Sequence, residues 1–121
     1  MNRILVADDE PAIRTLIRRK LEEQDFHVTE AEDGEQAFEK LKTESFDVLV
    51  TDRNMGPGMD GIELAKIAYT IQPNLRIILF TSNFKGLSEN DRPKYLHRMV
   101  HKPIGLGCLS ETIRELLSAK V

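Results

Sequence analysis

The chain of 121 residues contains no tryptophan, one cysteine and no long apolar run. With a single cysteine, Cys108, no internal disulfide can form, and low cysteine usage is typical of a reducing compartment. The sequence also shows no charged-then-apolar leader, so we expect a cytoplasmic protein with no membrane partner. No histidine lies beside Cys108 in the sequence, and we expect it to be a small packed residue rather than a nucleophile.

An excess of positive charge is also missing. The 17 lysines and arginines are outnumbered by 20 aspartates and glutamates, which gives a formal net charge of -3. Such a chain offers no basic surface of the kind that follows a phosphodiester backbone, so direct binding to nucleic acid is not expected. The length fits one domain, residues 1–121, large enough to bury a core without disulfides or a structural metal.

Short apolar runs alternate along the chain with segments of helical periodicity. The runs predict five strands, at residues 4–7, 28–29, 48–50, 77–80 and 99–100. Apolar residues at helical spacing lie between the first four strands and after the last. This alternation predicts an α/β fold, a single doubly wound parallel sheet with amphipathic helices on both faces.

Two stretches carry more specific local signals. Asp33 and, three residues later, Gln36 are typical of a capping box at the start of the second helix. Residues 83–96 occupy the place where a fourth helix is expected. Because Gly86 and Pro93 interrupt this stretch and its apolar residues are sparse, any helix there should be short.

Polar residues follow four of the predicted strands. They are Asp8 and Asp9, then Thr51 and Asp52, then Thr81 and Ser82, and finally His101, Lys102 and Pro103. Because the carboxyl ends of parallel strands lie at one edge of a sheet, we expect these side chains to converge there. Gathered carboxylates suit a hard divalent cation such as Mg²⁺, whereas they would repel the phosphate of a flavin.

Zinc is not expected at this edge. His97 and His101 lie four residues apart and could form a pair on a helix. A strand should begin between them, however, so we expect two surface histidines instead.

In their order along the chain, these motifs resemble the receiver domain of two-component response regulators. The resemblance covers nearly the whole chain and rests on Asp8-Asp9, on Asp52 in "VLVTDRNM", on Gly61 in "GMDGIEL", on Thr81-Ser82 in "LFTS" and on Lys102-Pro103 in "HKP". It implies the flavodoxin-like strand order 2-1-3-4-5.

The resemblance also implies roles for individual residues. Asp52 would be the phosphoacceptor, Mg²⁺ would be held by Asp8, Asp9, Asp52 and the backbone carbonyl of Asn54, and Thr81 and Lys102 would respond to the phosphoryl group. The implied partners are a sensor histidine kinase or histidine phosphotransfer protein, which donates the phosphoryl group, and a downstream effector protein. Such a domain is not an enzyme in the usual sense, but it catalyses its own phosphorylation and dephosphorylation.

The chain departs from the family pattern on the side that transmits the signal. One residue, most simply Gly56, is inserted after the phosphoacceptor, and Met99 occupies the place of a switch aromatic. Two alternatives therefore stay open: a scaffold that keeps the fold without a phosphorylation switch, and the N-terminal receiver piece of a longer transcriptional regulator. A phosphatase of small phosphate esters is disfavoured, because Asn54 occupies the place where a general acid would be needed.

Overall fold

The computed structural model describes residues 2–102 and 106–118, which form five strands and four helices. In chain order the elements are β1 (Arg3–Ala7), α1 (Pro11–Glu22), β2 (His27–Ala31), α2 (Gly34–Thr43), β3 (Val48–Thr51), α3 (Gly61–Ile71), β4 (Arg76–Thr81), β5 (Arg98–His101) and α4 (Leu106–Ser118). Pro103 of the "HKP" motif lies outside the described residues. Within residues 2–102 and 106–118, no helix has the length and apolar character needed to cross a membrane.

The strands form one sheet in the order β2-β1-β3-β4-β5, with every pair parallel. The predicted fold class and strand order are therefore confirmed. The register places Ala7 beside Thr51 and Thr81 beside His101, so the residue after each of these strands emerges at the same edge.

Apolar side chains form one cluster on each face of the sheet. Because alternate residues of a strand point to opposite faces, Leu5 and Ala7 join the cluster with α2 and α3, while Ile4 and Val6 join the cluster with α1 and α4. The central strands are thus covered on both faces, as their near-continuous apolar runs predicted. The edge where the strands end is left for polar chemistry.

Aspartates fix the starts of α2 and α3. Asp33 accepts a hydrogen bond from the backbone N–H of Gln36 at 2.8 Å, but the Gln36 side chain accepts from the N–H of Glu32 rather than of Asp33, so the predicted capping box is incomplete. A complete box begins α3, where Asp60 and Glu63 each accept from the other's backbone N–H, at 2.8 and 3.2 Å. The sequence carries this second signal as D-G-I-E, residues 60–63.

The connection from β4 to β5, residues 82–97, contains no helix. The sequence predicted that any helix here should be short, and in this segment, all of which the structure describes, turns and bends take the place of a helix. Gly86 has a φ of 78°, in the left-handed region that ends a helical run. Leu96 anchors the far end of the segment in the core.

Two of the predictions about burial are wrong: Cys108 was expected to be packed, and His97 was expected at the surface. Cys108 is exposed on α4, because its neighbour Leu109 takes the position that faces the core. His97 is half-buried, because its Nδ1 accepts a hydrogen bond from the backbone N–H of Ile77 at 2.9 Å and its ring lies beside Tyr69 of α3. His101 is exposed, as predicted.

Candidate functional site

Four carboxylates gather where β1 and β3 end. Asp8, Asp9 and Glu10 follow β1, Asp52 follows β3, and one oxygen of each lies within 4.8 Å of the others. Asp8 and Asp52 are only 1% and 8% exposed, whereas Asp9 and Glu10 are exposed. Two such charges about 4 Å apart repel by roughly 4 kcal/mol at an effective dielectric near 20, so the cluster requires a nearby cation.

Lys102 places one positive charge between the two buried acids. Its Nζ donates to Asp8 Oδ2 at 2.7 Å and to Asp52 Oδ2 at 3.1 Å, and lies 3.6 Å from Glu10 Oε1. Its backbone N–H donates to the carbonyl of Thr81 at 3.0 Å, which fixes the residue just beyond β5. The side chain thus extends from the edge strand to the centre of the sheet.

Burial and charge pairing act in opposite directions on this group. Burial raises the pKa of Asp8, and the hydrogen bond from Lys102 offsets only part of that rise. Burial lowers the pKa of Lys102, but the hydrogen bonds to Asp8 and Asp52 outweigh it and leave the pKa of Lys102 above its usual value. Lys102 therefore keeps its positive charge at neutral pH.

The two buried carboxylates are held in the same way. Asp8 Oδ1 accepts the backbone N–H of Glu10 at 2.9 Å, and Asp52 Oδ1 accepts the backbone N–H of Arg53 at 2.7 Å. In both residues Oδ2 accepts from Lys102. A carboxylate offers about four lone-pair sites, so each group can still bind a cation or act as a nucleophile.

Gly61, the first residue of α3, packs against the backbone of Asp52. A Cβ atom at Gly61 would lie 1.8 Å from the carbonyl oxygen of Asp52, far inside contact distance. The N–H of Gly61 donates to the carbonyl of Arg53 at 2.8 Å. Only glycine allows α3 to begin this close to the acid cluster, which accounts physically for its place in the "GMDGIEL" motif.

Thr81 and two asparagines form a polar border beside the cluster. The buried Thr81 hydroxyl accepts the backbone N–H of Asn83 at 3.2 Å. The Asn83 side chain donates to Asn54 Oδ1 at 3.0 Å. These bonds connect the loop after β3 to the start of the β4–β5 connection.

The loop that contains the inserted residue is held against α2. Gly56 and Gly58 have φ values of 79° and 98°, which other residues rarely adopt. The backbone N–H of Met59 donates to Glu35 Oε2 at 2.9 Å. A Cβ at Gly56 would lie 4.0 Å from Asp9 Oδ2, so the insertion borders the cluster without entering it.

Met99 is half-buried and packs against the core cluster that lies under α2 and α3, together with Phe84 and Leu87. A groove of about 260 Å³ lies beside it, lined in part by the same residues and by His101. The Phe84 ring lies 5.6 Å from that of His101. Met99, which occupies the place where the family pattern has an aromatic residue, therefore has free space next to it.

Comparison with known proteins identifies this arrangement. A family model of the response regulator receiver domain matches residues 4–114. The chain belongs to this family. It is 38% identical over 122 residues to the response regulator receiver protein CpdR of Brucella abortus, an alignment that covers 98% of this chain and 99% of CpdR. It is 37% identical over 117 residues to the sensor protein EvgS of Escherichia coli, covering 93% of this chain and 9% of EvgS.

The fold of this receiver domain matches solved members of the family. The response regulator TrrA of Thermotoga maritima, crystallised in complex with Mg(2+)-BeF, superimposes with a TM-score of 0.86 at 33% identity, covering 96% of this chain and 99% of TrrA. The chain is thus a phosphoryl-accepting receiver of two-component signal transduction. Receiver domains interact with histidine kinases or phosphotransfer proteins and with effectors.

The receiver structure brings Asp8, Asp9, Asp52 and Lys102 together, and it places Thr81 and Asn54 on the adjoining border. The individual roles of these residues stay predictions. Two neighbours received no role from the sequence. Glu10 continues the run of acids that begins at Asp8, so the sequence did carry a signal for its place in the cluster. No sequence signal marked Arg53, whose side chain donates to the carbonyls of Asn83 and Lys85 at 3.1 and 2.6 Å.

Proposed function

We propose that Asp52 accepts a phosphoryl group from a phosphohistidine of a kinase or phosphotransfer protein, and that the modified domain changes its binding to an effector protein. The observation that supports this assignment is the buried ammonium of Lys102, bonded to both Asp8 and Asp52. Burying charged groups costs free energy, so a buried salt bridge is weak evidence of a purely stabilising role. Clusters of buried charges with shifted pKa values occur preferentially at functional sites, which favours a functional role for this one.

In the transfer, a carboxylate oxygen of Asp52 attacks phosphorus in line. The new O–P bond gives an acyl phosphate, and the P–N bond breaks with its electron pair leaving on the imidazole nitrogen of the donor. Lys102, 3.1 Å from the attacking carboxylate, stabilises the charge on the phosphoryl oxygens. The Thr81 hydroxyl accepts from Asn83 and can donate its own proton to a phosphoryl oxygen.

The acid cluster has the donor chemistry that Mg²⁺ prefers. The four clustered groups are carboxylates, and Mg²⁺ commonly takes one or two carboxylates together with water and substrate phosphate. In this proposal Asp8, Asp9, Asp52 and the backbone carbonyl of Asn54 would hold the ion. When bound, it would neutralise charge on the phosphoryl oxygens.

The same site is proposed to hydrolyse its acyl phosphate. Asn54 and Asn83 are short, polar and exposed where they meet beside Asp52, so water can approach and find hydrogen-bond partners. The domain would then catalyse its own phosphorylation and dephosphorylation without turning over a separate substrate.

A phosphorylation-independent scaffold is the second candidate. The observation that favours it is the helix-free β4–β5 connection, together with the inserted loop, because both alter the surface next to the site. The scaffold would accept no phosphoryl group and would bind its partners in its unmodified form.

Incubation with a small phosphodonor such as acetyl phosphate and Mg²⁺, followed by intact mass measurement, tests these proposals. We expect the wild-type protein to gain one phosphoryl group and Asp52→Asn to gain none. Asp60→Asn is the matched control, because asparagine caps a helix as well as aspartate does and Asp60 is outside the cluster.

Each remaining outcome points to a different conclusion. Phosphorylation of Asp52→Asn would reject Asp52 as the acceptor. A wild-type protein that gains no mass would favour the scaffold. Sustained turnover of a small phosphate ester would favour a phosphatase.

A further inference from the structure

Arg14 of α1 contacts the backbone of the acid cluster, whereas Lys102 contacts its carboxylates. Its Nη1 donates to the carbonyl of Asp8 at 2.7 Å, and its Nε donates to Glu30 Oε1 of β2 at 2.8 Å. Glu30 also pairs with Arg18, with Nε and Oε2 3.0 Å apart. The Arg14 side chain is only 12% exposed. Its guanidinium is therefore fixed between α1, β1 and β2.

The carbonyl that Arg14 holds belongs to the peptide between Asp8 and Asp9. A peptide unit is planar, so fixing its oxygen also fixes the direction in which the chain enters Asp9. Asp9 is exposed, so little packing holds its carboxylate, and we expect its direction to depend on the backbone that carries it. Asp8 is buried, and its carboxylate is held by Glu10 and Lys102. The orientation of Asp9 depends more on the Arg14 contact than that of Asp8 does.

We propose that Arg14 is a positioning residue for the Mg²⁺ site: by holding the Asp8 carbonyl it directs Asp9 toward the shared space of the cluster. The inference rests on the Mg²⁺ site of the proposed function. Residues that orient metal ligands typically change metal affinity by about 10- to 100-fold when they are replaced.

The charge of Arg14 alone would have the opposite effect. A guanidinium near a cation site repels the cation, so its removal should strengthen Mg²⁺ binding if position were unimportant. Loss of positioning should weaken Mg²⁺ binding. The sign of the change therefore distinguishes the two effects.

The test compares Arg14→Met and Arg14→Lys with the control Arg3→Met. Methionine keeps the helix propensity of arginine, and lysine keeps the charge but cannot serve both acceptors as the planar guanidinium does. Arg3 is a matched control, because it also donates to a backbone carbonyl, that of Ser45 at 2.8 Å, and pairs with a glutamate, Glu44, at the opposite edge of the sheet.

Two quantities are measured for each variant: the Mg²⁺ dissociation constant, from NMR titration of the backbone amides of Asp9 and Glu10, and the free energy of unfolding without Mg²⁺. We expect Arg14→Met to raise the dissociation constant about tenfold and Arg14→Lys to give an intermediate value. Arg3→Met should lose stability while its dissociation constant stays at the wild-type value.

Unchanged or tighter Mg²⁺ binding in Arg14→Met would overturn the inference while leaving the proposed function intact. If that variant does not fold, Arg14→Lys decides, because wild-type affinity in it would equally overturn the inference. A wild-type protein that binds no Mg²⁺ would overturn both the metal site and the role of Arg14.

Discussion

The acid cluster and the β4–β5 connection begin at the same edge of the sheet but are held very differently. Asp8 and Asp52 are fixed by backbone donors and by Lys102, which follows the edge strand β5. Within residues 82–97 many of the backbone bonds are local, such as Leu87 N–H to the carbonyl of Phe84 at 2.8 Å. The connection is tied to the rest of the domain mainly near its two ends, by Arg53 at one and by His97 at the other.

This difference separates chemistry from signal output. Attack on phosphorus requires groups in fixed positions, and the cluster provides them. A surface that responds to phosphorylation requires a segment with alternative arrangements of similar free energy, and such segments come from the weakly held parts of a fold. The following predictions test that contrast, from the largest expected effect to the smallest.

Replacing Lys102 should have the largest effect on stability. Lys102→Met removes the cation between two buried carboxylates, and breaking a buried pair typically costs about 3–5 kcal/mol. We expect a loss of about 3 kcal/mol in chemical denaturation at neutral pH without Mg²⁺. Mg²⁺ should raise the melting temperature of this variant more than that of the wild type.

The control lies in the connection. Lys85→Met removes an exposed lysine, so the free energy of unfolding should change by no more than about 0.5 kcal/mol. Equal losses in the two variants would contradict the contrast between the regions.

Two glycines provide the second comparison. Gly61→Ala places a Cβ 1.8 Å from the Asp52 carbonyl oxygen, and we expect a loss of about 2 kcal/mol together with slower phosphorylation. In Gly86→Ala the new Cβ meets no atom within 4 Å. Stability should fall by roughly 1–2 kcal/mol, because alanine disfavours the left-handed backbone of this residue. Denaturation and phosphorylation rates check both variants; a normal phosphorylation rate in Gly61→Ala would show that the site tolerates movement of α3.

Removing the Arg53 side chain should release one end of the connection. Arg53→Met loses two hydrogen bonds to backbone carbonyls, at an expected cost of about 1 kcal/mol. Amide hydrogen exchange at residues 83–86 should become faster, while exchange within β1 and β3 stays unchanged. Arg98→Met, which removes a bond to the carbonyl of His97 at the other end, should leave residues 83–86 unaltered.

The smallest effect concerns pH. Burial lowers the pKa of His97 below its usual 6.5, helped by the positive charges of Arg76, Arg92 and Arg98. Well above pH 6.5 the histidine is neutral in both the folded and the unfolded state and contributes no pH dependence. As the pH falls below that value, the unfolded chain binds the proton first and stability decreases, until the folded state is protonated as well.

His97→Gln should remove this decrease, because glutamine can accept the bond from the Ile77 N–H without titrating. Denaturation of both proteins between neutral and mildly acidic pH checks the expectation. His101→Gln is the control, since His101 is exposed. An unchanged slope in His97→Gln would assign the pH dependence to other groups.

The sequence predicted the parts of the molecule that depend on strand ends. Apolar runs and their spacing indicated the sheet, and the residues after β1, β3 and β5 indicated that Asp8, Asp52 and Lys102 would meet. Gly86, Pro93 and sparse apolar residues indicated little helix in residues 82–97. They did not indicate which turns form there, because that conformation depends on a few distant anchors such as Leu96.

Other features depend on distances that only the folded backbone sets. The close approach of Gly61 to Asp52 and the hydrogen bond from Ile77 to His97 join residues whose separation is not readable from spacing. The half-burial of His97 was missed for the same reason. The exposure of Cys108 depends on which face of α4 packs on the sheet: Leu109 is buried, and its neighbour Cys108 is exposed.

The bond between Lys102 and Asp8 joins residues 94 positions apart, which has a consequence for how the chain folds. During synthesis β1, β2 and β3 leave the ribosome well before residue 102, so the two buried acids can come together on a partial sheet that still lacks its counter-charge. Repulsion between them makes that partial sheet less stable, and pairings this distant in sequence form slowly. Docking of β5 adds the last strand and the neutralising ammonium in one step, which couples completion of the sheet to completion of the acid cluster.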